Sequence, residues 1–271
     1  MHALLSHPAV QLGFEPFVAA LIVSELFLRM RLSGLAIIAG FSVMLYLVSD
    51  FSFGPLTPEH KIVLLGYLST LLGLLFMLFN PGWLRFLLTL AGGGAAIWTM
   101  LSILKQYELL ALPLWAGGCA IYLGWLVFWF DGLHESSARA GTAGMALGLG
   151  SGVSALLCAT ALPEKFGFAV GAAASAYLLI QIITNSPLPC GRIFTLPLSI
   201  IAGLSGCLAI LTTKLPWYSL PVLALIPVAA QIPLSGVRSL RLQSVLLSVI
   251  SLALAGSAVY LTWRVVGGSL F

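Results

Sequence analysis

Three observations predict an all-α, polytopic membrane fold. The 271 residues are 60% hydrophobic and only 7% charged, whereas a soluble domain carries roughly a quarter of its residues charged. Their mean hydropathy is +1.09. The charges stand singly or in small groups between apolar runs of about twenty residues, the length that crosses a hydrocarbon core of about 30 Å.

Charges, Pro-Gly clusters and Asn or Asp mark the boundaries of ten expected transmembrane helices, at 10–28, 32–50, 62–79, 83–104, 112–130, 140–162, 166–184, 193–213, 217–237 and 242–264. No Lys or Arg precedes the first run, so it is read as a retained helix, not a cleaved leader. Connections such as Asn80-Pro81-Gly82 are short, and the expected partners are therefore the lipid bilayer and a small-molecule solute, with a homodimer or a membrane-complex partner as further possibilities. The net charge of +4 is dispersed, which argues against nucleic acid. Cys119, Cys158, Cys190 and Cys207 have neither metal-ligand nor redox spacing, so no metal or cofactor is expected. The odd-numbered connections hold seven arginines, against five basic residues in the even connections and the C-terminus. The positive-inside bias then turns the odd connections to the cytoplasm and both termini outward, in a bacterial inner membrane.

A shift of roughly 131 to 135 residues lays the first five spans over the last five, dividing the chain into repeats 1–135 and 136–271. Gly34-Leu35-Ala36 meets Gly167-Phe168-Ala169, and Pro55-Leu56-Thr57-Pro58 meets Pro187-Leu188-Pro189. Five is odd, so the repeats are expected to be inverted. The ninth span contains Pro221, Pro227 and Pro233, and an offset of 134 carries Gly92, Gly93 and Gly94 of the fourth onto Ile226, Pro227 and Val228. Both helices are therefore expected to be discontinuous, with Pro227 marking the ninth's break.

The residues expected along a substrate or ion pathway are Thr89, Gly92, Gly93, Gly94, Thr99, Pro227 and Gln231, joined by Gln181, Asn185, and Asp50. Each has a plainer reading. Glycine triplets suit close helix packing, neutral hydroxyls and amides bond to backbone, and Asp50 and Asn185 stand where helices end. Gly144, Gly148 and Gly152, with Gly167 and Gly171, form small-xxx-small faces whose expected role is packing. Asp131, His134 and Glu135 make the densest titratable group and are read as a solvated loop; no catalytic residue is assigned, and a lipid-modifying enzyme is the minor alternative.

The layout of ten spans in two inverted halves, with a broken fourth helix in each, resembles that of bile-acid/sodium symporter relatives, auxin-efflux-type carriers and sodium/proton antiporters. The resemblance covers the whole chain as a layout and rests on no motif. It implies a permease or secondary transporter working by alternating access. No Asp or Glu lies within the fourth or ninth span, so ion coupling would have to draw on Glu15, Glu25 or Asp50. A noncatalytic membrane subunit or assembly factor is the other expected class.

Overall fold

The computed structural model describes residues 13–27, 32–48, 56–77, 81–107, 111–158, 162–213, 215–233 and 239–267; Asp50, Arg29, Arg31, Lys214 and Arg238 lie outside them. Among the described residues all regular structure is helical. The helices are α1 (Glu15–Leu26), α2 (Ala36–Val48, entered through a 3-10 turn at Ser33–Leu35), α3 (Pro58–Leu75), α4 (Leu84–Leu104), α5 (Leu112–Asp131) and α6 (Ser137–Leu157). There follow α7 (Pro163–Thr184), α8 (Arg192–Thr212), the short α9 (Ser219–Ala224) and α10 (Ile226–Ala229), and α11 (Leu240–Gly267). Six of them, α4 to α8 and α11, are long and apolar enough to cross a membrane.

Local chemistry explains most boundaries. At α3 the Thr57 hydroxyl accepts from His60 N at 3.4 Å, Pro58 occupies the first turn and Glu59 faces the positive helix end. These start signals set the helix running four residues before the expected 62. At the end of α7, Asn185 adopts a left-handed conformation, φ 49 and ψ 34, which a short amide side chain tolerates. Gly191, at φ 64, turns the chain into α8.

The core is organised about α8, which is buried from Arg192 to Leu211 and is the most apolar of the six. Against it pack α3, α5, α7, α6 and α4. The closest helix pair is α6 with α7. A Cβ on Gly148 would lie 2.4 Å from Gly171 N, and one on Gly167 would lie 2.5 Å from Gly152 N. The small-residue faces thus let two backbones touch, as their spacing indicates.

Long-range hydrogen bonds gather the odd connections at one end of the bundle. Ser33 Oγ donates to Pro189 O at 2.8 Å, Gly191 N to His134 O at 3.0 Å, and Arg241 Nε to Ile182 O at 3.0 Å. At the opposite end Tyr107 Oη donates to Leu211 O at 3.0 Å, and Ser219 Oγ lies 3.0 Å from Thr262 Oγ1. Successive helices therefore alternate in direction.

Two expectations about broken helices fare differently. The fourth helix is continuous: α4 runs unbroken through Gly92, Gly93 and Gly94. Where no water competes for backbone groups, a helix keeps its hydrogen bonds despite glycine's low propensity. The ninth is interrupted, but only by a kink. Leu225 stands between α9 and α10 with φ −77 and ψ −19, still in the helical region. Pro227 falls in the first turn of α10, where its missing N–H is tolerated. Ser219–Ala229 is also shorter than the expected span 217–237 and too short to cross the core unaided.

Candidate functional site: an apolar groove beside a kinked helix

A cavity of about 680 Å³ lies between α5, α9 and the end of α8. Trp115, Gly118, Tyr122 and Trp125 of α5 form one wall, Leu220, Pro221 and Ala224 of α9 the other, and Ile210 of α8 contributes to the lining. Its rim carries the exposed side chains of Leu114, Ile121 and Trp217. The groove thus opens sideways, onto a surface apolar enough for lipid to cover.

Sequence accounts for this space locally. Gly118 has no atom within 4 Å of where a Cβ would stand, so it leaves volume open. The kink sets the groove's inner end. Helical bonds across it run from Leu225 N to Pro221 O at 3.2 Å and from Ala229 N to Leu225 O at 2.8 Å. The Ala224 carbonyl instead accepts the Trp125 indole N–H at 3.0 Å, which ties α5 to α9. Satisfying a carbonyl beside a kink in this way is what an apolar environment demands. Tyr122 is 7% exposed, and its hydroxyl has no partner among the described residues.

One turn beyond Trp125 the same seam becomes polar. Gln231 Nε2 donates to Trp129 O at 2.9 Å, Arg139 Nη1 to Gln231 O at 3.1 Å and Arg85 Nε to Phe128 O at 2.9 Å. The Arg85 guanidinium stacks on the Phe128 ring, 3.6 Å from its centre. Asp131 is 2% exposed and paired to Arg192 of α8. The solvated-loop expectation therefore fails for Asp131, whose carboxylate closes the α5–α8 corner, and holds for Glu135, whose side chain is 81% exposed. His134 turns its Nδ1 to the Asp131 carbonyl.

The residues expected along a pathway do not converge on one point. Thr89 Oγ1 donates to Arg85 O at 2.8 Å and Thr99 Oγ1 to Ala95 O at 2.7 Å, both within α4. Gly92 and Gly93 face α5, where a Cβ would lie 3.0 Å from Val127 Cγ2 and 3.3 Å from Ala120 O; Gly94 faces open space. Pro227 is buried in α10, with Gln231 just past its end at the polar seam. Gln181 is fully buried in α7 and donates to Ser137 Oγ at 2.9 Å, its Oε1 lacking a partner among the described residues. Asn185 is an exposed helix terminus, and Asp50 lies outside the described residues. The groove itself was missed because its lining is ordinary Trp, Leu and Ile. The one signal that pointed near it is the cluster of prolines opening at Trp217. Neither a protein-family model nor any curated protein or solved structure matches this chain at a significant level.

Proposed function

We propose that this chain is an integral membrane permease for a small, predominantly apolar solute, and that the groove between α5 and α9 lies on the solute's path. The observation that carries the reading is the groove: about 680 Å³, within the range of small-molecule sites, apolar, and open toward the bilayer side. A solute that partitions into lipid can enter there without crossing a charged surface.

The wider reading is a ten-pass bundle of two inverted halves, 1–135 and 136–271, with the arginine-bearing end toward the cytoplasm of a bacterial inner membrane. Its supports are the alternating helix directions and the matched junctions before Pro58 and Pro189. The movable element in this reading is the kinked α9–α10 pair alone, since α4 is unbroken. Gln231 and Pro227 belong to that pair, while Thr89, Gly92, Gly93, Gly94 and Thr99 belong to the α4 face that supports α5.

A Gly118→Cys variant, on a background without the native cysteines and reconstituted in vesicles, tests alternating access. A carrier that opens this lipid-facing groove to water on each side in turn gives labelling by a charged, membrane-impermeant thiol reagent from each side of the vesicle. Labelling from one side only, or from neither, overturns alternating access.

A further inference from the structure

A second site stands at the arginine-bearing end of the bundle, independent of the groove. Gly132 follows α5, is exposed, and has no side chain; the point where its Cβ would stand lies 2.7 Å from Gln231 Nε2 and 3.0 Å from Arg85 Nη2. Two donors therefore lie directly against bare backbone, in space a side chain would fill, next to the Trp129 carbonyl that takes one of the Gln231 Nε2 hydrogens at 2.9 Å. Arg139 sits alongside, its Nη1 on the Gln231 carbonyl at 3.1 Å. Arg85 is oriented by Phe128 on both its ring face and its carbonyl, which leaves its Nη2 lying against Gly132, within the electrostatic reach of Asp131. Among the described residues neither Arg85 nor Arg139 has a carboxylate within ion-pair distance. Asp131 is engaged by Arg192, and Glu135 extends outward beside His134. Three arginines thus face two carboxylates, one of them already paired.

The choice of cation matters. Among the described residues this end carries Arg85, Arg139, Arg192 and Arg241, whereas the opposite end carries Lys61, Lys105, Lys165 and a single Arg264. A guanidinium fork matches the oxygens of a phosphate, which an ammonium does not. Position identifies the phosphate's source. Arg85 stands in the first turn of α4 between the exposed apolar side chains of Trp83, Phe86 and Leu87, which require lipid around them and place an interfacial tryptophan at headgroup depth. We infer that Arg85, Arg139 and Gln231 form a binding site over Gly132 for the phosphate of an anionic phospholipid headgroup.

Titration of the detergent-solubilised full chain with phosphatidylglycerol, read by native mass spectrometry, tests this. The Arg85→Gln, Arg139→Gln double variant is expected to bind about thirtyfold more weakly, the loss of roughly 1 kcal/mol of attraction for each arginine. The Arg85→Lys, Arg139→Lys pair keeps the charge and is still expected to bind several-fold more weakly, because the fork is gone. Arg264→Gln, at the other end, is expected to bind as the parent does, and excess inorganic phosphate is expected not to displace the lipid. The inference is overturned if the glutamine pair binds as the parent does, if phosphatidylcholine binds as tightly as phosphatidylglycerol, or if inorganic phosphate displaces the lipid. Should the double variant fail to fold, Arg139→Gln alone, whose side chain makes one backbone contact, is read against the same outcomes.

Discussion

Arg192 holds Asp131 through two hydrogen bonds, Nε to Oδ1 at 2.6 Å and Nη2 to Oδ2 at 3.3 Å, in a corner where both side chains are buried. The pair joins the last residue of α5 to the first of α8, so it pins one end of the groove's α5 wall to the central helix. Taking two charges from water is costly, and a partner left alone there keeps the cost without the attraction. Asp131→Ala is accordingly expected to lower stability by about 3–5 kcal/mol. The double replacement Asp131→Leu, Arg192→Met is expected to lose less than the single one. Thermal unfolding in detergent measures both, and a double variant less stable than Asp131→Ala would contradict the assignment.

Glycine substitutions separate the α6–α7 contact from α4. Gly148→Ala drives a methyl toward Gly171 N at 2.4 Å, where a backbone neighbour yields only if the helices part. A loss of about 1–3 kcal/mol or more follows, seen as reduced folded yield. Gly94→Ala meets nothing within 4 Å and is expected to leave stability within about 0.5 kcal/mol of the parent, since glycine costs this water-free helix little. If Gly94→Ala destabilises the protein, α4 is not the continuous helix described.

The contrast between these glycines shows where sequence reasoning reaches. Gly148, Gly152, Gly167 and Gly171 recur every four residues, and that period alone states which faces touch. Pro227 announced the interruption of the ninth span because the missing N–H is a property of the residue itself. Gly92 to Gly94 announced nothing reliable, since glycine's cost to a helix depends on whether water is present to take the backbone groups. The Asp131–Arg192 pair spans 61 residues of sequence and exists only once α5 and α8 meet, so neither residue carries a local sign of it. The groove follows from the placement of common apolar side chains around Gly118, which composition cannot express.

Thiol chemistry offers a check on burial with a definite pH sign. Cys190 is buried between α7 and α8, and burial pushes its thiol pKa up; burial also raises that of Cys158, partly offset by the nearby Thr213 hydroxyl. A raised pKa means less thiolate at any given pH. Cys158, which is half-buried, is expected to be the cysteine that labels, slowly at neutral pH and about tenfold faster per pH unit until its raised pKa is reached. Cys119, Cys190 and Cys207, all buried, are expected to stay unmodified in the folded protein. Mass-spectrometric mapping after maleimide treatment reads this, and modification of Cys190 before Cys158 would contradict the packing of α8.

The groove is tested most directly by photolabelling with an alkyl-diazirine alcohol, comparing the parent with Gly118→Leu. Gly118 has open space where a Cβ would stand, so a leucine there starts without a clash and takes up part of the groove. In the parent, adducts are expected to concentrate on Tyr122, Trp125 and Pro221, above the level at Leu90, which is 78% exposed on α4 and reports simple contact with the lipid phase. In Gly118→Leu the excess at the groove is expected to fall while labelling at Leu90 persists. Groove residues labelled no more than Leu90 in the parent, or labelled equally in both proteins, would contradict a solute site between α5 and α9.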